Sequence, residues 1–163
     1  MSNKKLFLFS FVSFLLVMAG MLWTEQQAGC GKVIIPLELE PSIAAFKQRI
    51  AACDITWLAT NTQLDFLFLI AYSATLFFAL RGLSDKLSPL AWLTFLPGVF
   101  DSIENVLLLK FLYADQAEIS AGVYSIYYWC VRIKFGILII ILLTLLVLVG
   151  QWIYKKAKGE KSM

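Results

Sequence analysis

The stretch YSIYYWCVRIKFGILIIILLTLLVLVGQWIY, residues 124–154, decides what kind of protein this is. From Phe135 to Val149 only Gly136 and Thr144 interrupt an aliphatic and aromatic run. A helix needs roughly 20 predominantly apolar residues to cross a hydrocarbon core about 30 Å thick, and this segment exceeds that length. It closes on Lys155-Lys156, a cationic stop beside a membrane end.

Outward from it, three more stretches carry the same signal. Residues 6–23 follow Lys4-Lys5, residues 64–81 stop at Arg81, and residues 89–113 open after Ser88-Pro89. The whole chain of 163 residues is 60% apolar and 15% charged, against roughly 45–50% and about 25% for soluble domains. That much apolar surface cannot be hidden in a core of this size, so the surplus faces lipid. The expected fold is all-α: a single membrane domain of four transmembrane helices at about 6–23, 64–81, 89–113 and 124–154.

Lysine and arginine near the span ends set the expected orientation, because they are retained on the cytoplasmic side. Lys4, Lys5, Arg81, Lys86, Lys155, Lys156, Lys158 and Lys161 fall on one side, and Lys32, Lys47, Arg49 and Lys110 on the other. Both termini are therefore expected inside, with an outer loop over 24–63 and a basic cytoplasmic tail over 155–163. The first apolar run is longer than a signal-peptide core of 7–15 residues and is read as an uncleaved helix.

The outer loop has structure of its own. Pro41-Ser42 offers a turn and an N-cap, and Ile43, Phe46, Ile50, Cys53 and Trp57 then recur at steps of three and four. This spacing predicts an extracytoplasmic amphipathic helix, either packing against the helices or serving as a lid. Cys30 and Cys53 share the loop, where the compartment permits either a bridge or two free thiols. No Cys-x-x-Cys occurs, which sets aside disulfide-exchange chemistry.

The chain has no histidine. Imidazole metal sites and histidine-dependent nucleophiles are excluded with it, and no metal site is expected. A formal charge of +3 without a basic, aromatic-interleaved stripe gives no nucleic-acid surface.

The chemically informative residues are polar ones inside the spans, since a charged side chain at mid-bilayer costs about 2.5–3.5 kcal/mol on insertion scales. Asp101, Glu104 and Asn105 lie at steps of three and four, on one face of the third span. Asp65 and Tyr72 share a face of the second, seven residues apart. The fourth carries Arg132 and Lys134, about 200° apart around the helix, so only one can face inward. Lys134 is the inward candidate, on the face of Tyr127 and Cys130, while Arg132 snorkels outward.

The runs Leu64-Asp65-Phe66-Leu67-Phe68 with Tyr72, Asp101-x-x-Glu104-Asn105 with Leu107-Leu108, and Arg132-x-Lys134-Phe135 resemble a group of uncharacterised bacterial four-helix membrane proteins. The resemblance spans about residues 35–145. It implies that Asp65, Tyr72, Asp101, Glu104, Asn105 and Lys134 belong to one site, in a multi-pass protein of the bacterial plasma membrane. No activity comes with it.

Three readings of that site follow. It binds a lipid-like or amphiphilic small molecule from the outer leaflet, with Lys134 and Glu104 at its polar head. Alternatively, the protein is an accessory subunit in which the polar residues only lock helix packing. Third, the carboxylates serve a membrane enzyme, for which no nucleophile or cofactor motif is visible. Membrane lipids are the expected partners, and the sequence names no cofactor and no protein partner.

Overall fold

The computed structural model describes residues 3–32, 34–83, 88–114 and 119–158. Its elements are α1 (Asn3–Gln27), α2 (Ile34–Glu38), α3 (Ile43–Ala51), α4 (Ile55–Leu83), α5 (Ser88–Trp92), a 3-10 turn (Leu93–Phe95), α6 (Leu96–Tyr113) and α7 (Ala121–Ala157). The described residues form no strand. Three helices are long and apolar enough to cross a membrane: α1, α4 and α7 up to Tyr154. Their large outward side chains, among them Phe9, Leu16, Ile140 and Leu146, are more than half exposed, as lipid-facing side chains are.

The expected segments recur with shifted ends. The helix expected from residue 64 begins at Ile55, because the Asp54 Oδ1 accepts from the backbone N–H of Thr56 (2.8 Å) and Trp57 (3.4 Å) and caps it. The polar residues that hid this start have internal partners. Asn61 Nδ2 donates to Met21 O and to Thr24 Oγ1, both at 2.7 Å, stitching α4 to α1. The span expected over 89–113 is broken into α5, a 3-10 turn and α6. Pro97 stands in the first turn of α6, where its missing N–H costs nothing. Thr94 bridges the break, donating to Ala91 O at 2.7 Å and Ser73 O at 3.3 Å. The expected basic tail lies partly outside the described residues, which end at 158 and omit the side chains of 155 and 156.

α1 packs along α4, α4 along α6, and α6 along α7. Partners such as Phe14 with Phe68, Tyr72 with Asp101, and Phe111 with Tyr124 make each neighbouring pair antiparallel. The segment between α1 and α4 folds back over one end. Gly29 and Gly31, both at φ +74°, provide the left-handed backbone around Cys30, and Cys30 is bonded to Cys53 with S–S 2.11 Å. Ser42 caps α3 as the sequence indicates. The helix is shorter than the spacing suggests, however, ending at Ala51, so Trp57 belongs to α4. Phe46 is the keystone of this end, with its ring 5.7 Å from Phe111, 5.0 Å from Tyr124 and 5.4 Å from Tyr127. Tyr124 Oη donates to Glu40 O at 2.6 Å and ties α7 to the same segment.

Candidate functional site: a carboxylate cluster at the end of a lipid-sized cavity

Lys134 enters the interior from α7 because Phe135, Leu138 and Ile141 on neighbouring turns also turn inward. It is 4% exposed. A lysine ammonium has three N–H donors, and three carboxylates surround this one: Glu104 Oε2 at 2.7 Å, Asp101 Oδ1 at 2.9 Å and Glu38 Oε2 at 3.4 Å. Two of the acids come from successive turns of α6, the third from the short helix α2. The helix face seen in the sequence thus points at α7 and α4 together.

Two hydrogen bonds tie α4 to α6 beside it. Tyr72 Oη donates to Asp101 Oδ2 at 3.2 Å, and Asn105 Nδ2 donates to Asp65 Oδ2 at 2.9 Å. Asp65 Oδ1 has no hydrogen bond among the described residues. Both Glu104 oxygens and Tyr127 Oη are fully buried and also lack one, Glu104 Oε2 meeting Lys134 as an ion pair. Burial pushes the Glu38 carboxyl above the usual carboxylate range, against the opposing pull of Lys134. Three acids, Glu38, Asp101 and Glu104, therefore gather around a single ammonium, with a fourth, Asp65, on the neighbouring face of α4.

The six residues expected at one site fall into two neighbouring bonded groups on α4, α6 and α7: Asp65 with Asn105, and Tyr72, Asp101, Lys134 and Glu104. Their placement differs from the expected one. Glu104 lies behind Lys134 toward α6 and is not part of the cavity wall, and Lys134 has its donors turned to carboxylates. Arg132 lies on another face of α7, with its guanidinium 4.0 Å over the Tyr128 ring. Cys130 is a buried free thiol. Glu38 is the member that sequence reasoning missed. It stands 96 positions from Lys134 in a loop without periodicity, and only its place between Leu37 and Leu39, in a chain short of charge, marks it out.

The cluster closes one end of a cavity of about 720 Å³. α4 forms its floor through Asn61, Asp65, Phe68, Tyr72, Thr75 and Leu76. α1 and α7 form facing walls, with Phe14, Met18 and Met21 on one side and Phe135, Leu138 and Leu142 on the other. Ile34, Ile35 and Pro36 of the α2 segment cover the end near the disulfide. The cavity exists because α1 packs on α4 and barely touches α7, leaving a groove between them. From Phe11 to Glu25 the α1 wall is about 21 Å long at 1.5 Å per residue. Among the described residues no three His, Cys, Asp or Glu are placed to hold a metal ion.

No protein-family model, curated protein or solved structure matches this chain.

Proposed function

We propose that this is a four-span protein of the bacterial plasma membrane, with both termini cytoplasmic, that holds a lipid-like or amphiphilic small molecule taken up from the outer leaflet. The single observation behind this reading is the 720 Å³ cavity, lined mostly by apolar side chains of α1, α4 and α7, with Asp65, Tyr72, Asp101 and Lys134 together on its wall. Such a volume falls within the 300–1,000 Å³ of small-molecule sites. An amphiphile matches its division: the chain lies between α1 and α7, and the head reaches Asp65, Tyr72 and Asp101. The basic residues at the two chain ends support the orientation, which puts the disulfide end outside.

Native mass spectrometry of the gently solubilised protein, beside its Leu142→Trp variant, tests the reading. Tryptophan at 142 adds bulk to the groove about two turns from Lys134. The expected result is a bound small-molecule mass on the wild type that is lost from a folded variant. Bare protein in both samples would sink the reading.

A specific observation favours a second reading. Three carboxylates hold Lys134 from α2 and α6, which is what a lock on helix register would look like. In that case the cavity has no occupant, and the protein acts as an accessory subunit.

A further inference from the structure

We propose that the head group taken by this cavity is a protonated amine, so that the ligand class is a single-charge alkylammonium or aminolipid. The inference rests on the amphiphile reading and adds the chemistry of the head.

Carboxyl groups outnumber cations around the cavity. Glu25 and Lys32, of opposite sign, stand toward the α2 end of the wall. Deeper in, Glu38, Asp65 and Asp101 line the cavity and Glu104 lies just behind, against Lys134 alone. Lys134 is already engaged: its Nζ donates to Asp101 Oδ1 at 2.9 Å and Glu38 Oε2 at 3.4 Å, and it forms an ion pair with Glu104 Oε2 at 2.7 Å. An anionic head beside Asp65 and Asp101 would lie against carboxyl groups, with the nearest cation, Lys134, already engaged.

The groups that reach the cavity are acceptors. Asp65 is 7% exposed, and that exposure opens into the cavity. Its Oδ2 accepts from Asn105, and its Oδ1 is unpartnered among the described residues. Asp101 has both oxygens engaged, one by Tyr72 and one by Lys134, which fixes it as a second, oriented negative group beside Asp65. Removed from water, such a pair favours a donor carrying positive charge over a neutral one, because hydrogen bonds between ionised partners are about twice as strong as neutral ones. The apolar groove then selects the alkyl chain that brings the charge in.

The test uses the full chain in detergent and three probes with one chain and different heads: dodecylamine, dodecanol and dodecanoate. A fourth, butylamine, carries the charge without the chain. Binding is read by native mass spectrometry and by the shift in thermal unfolding. Dodecylamine should bind about tenfold more tightly than dodecanol. Dodecanoate and butylamine should fail to compete with it. Asp65→Asn should abolish the preference for amine over alcohol while leaving dodecanol binding in place.

Equal binding of dodecanol would show that protons on the carboxyls balance the charge, and would overturn the proposal. So would dodecanoate binding as tightly as dodecylamine, or butylamine competing as well as dodecylamine. Wild-type protein alone decides the comparison of heads if Asp65→Asn does not fold. Failure of every twelve-carbon probe to bind would overturn the amphiphile reading itself. Binding of dodecanol or dodecanoate without an amine preference would overturn only the head-group assignment.

Discussion

The two faces of α7 are built in opposite ways. Toward α6 the space is filled: Tyr127 and Val131 are fully buried, and Glu104 at 0% exposure meets Lys134 across the contact. Toward α1 the same helix presents Phe135, Leu138 and Leu142 to a groove that no side chain fills. Lys134 sits where the two faces meet. Glu104 on the filled side meets the ammonium, while Asp65 and Asp101 line the open side. A packed interior normally leaves few voids larger than a water molecule, and the open side of α7 departs from that.

Lys134→Met gives the strongest way to break this arrangement. It leaves Glu38, Asp101 and Glu104 buried together without their cation, and breaking a buried pair from one side costs about 3–5 kcal/mol. Unfolding in a denaturing-detergent titration should shift accordingly, or the variant should fail to accumulate. Unchanged stability would mean that the cluster holds nothing together.

Phe46→Ala attacks the filled side from the loop. Phe46 is 0% exposed and stacks edge-on against Phe111 and Tyr124. Removing a ring of this kind costs about 3–5 kcal/mol, toward the low end here because α3 can settle into the space. The same titration checks it. A small effect would show that the disulfide, not the aromatic packing, seats α3 on the helices.

The two faces also differ in how much of them the sequence disclosed. Asp101, Glu104 and Asn105 were legible because charged residues in an apolar helix are conspicuous and their spacing fixes a shared face. The two-residue step allowed only one of Arg132 and Lys134 to face inward, and the face shared with Tyr127 and Cys130 chose Lys134. Glu38 could not, because its role depends on a turn at Gly29–Gly31 and a disulfide that return the loop to the helix ends, and no local pattern encodes that return. The α1 wall was equally hidden. α1 is apolar on every side, so nothing in its residues separates the lipid-facing surface from the groove-facing one. Third, hydropathy placed the start of α4 too late. It registers polar residues and cannot see that Asp54 caps the helix or that Asn61 is bonded to α1.

Glu104→Gln and Asp65→Asn, made side by side, sharpen the contrast. Glutamine at 104 weakens the closest contact to Lys134 and buries an amide N–H group without an acceptor, a cost of about 1–3 kcal/mol. Asparagine at 65 keeps a carbonyl oxygen for Asn105, so its stability should stay within about 1 kcal/mol of wild type. Bound-ligand signal should move the other way, falling in Asp65→Asn and persisting in folded Glu104→Gln. If both variants lose stability and ligand equally, the distinction between the two faces of α7 is wrong.

Arg132→Gln should have the smallest effect, and that smallness is informative. Arg132 is two residues from Lys134 and carries the same charge, yet it is half-buried over the Tyr128 ring and makes no ion pair among the described residues. A cation over an exposed aromatic face contributes about 0.5–1 kcal/mol, so the substitution should lower stability by no more than that and leave the amine preference untouched. The measurements are the detergent titration and the comparison of dodecylamine with dodecanol. A loss as large as that of Lys134→Met would mean that cationic charge anywhere on this turn of α7 offsets the carboxylates. A small loss ties the effect to the one ammonium that Glu38, Asp101 and Glu104 touch, which makes the position of the charge, and not its presence, the property that organises the site.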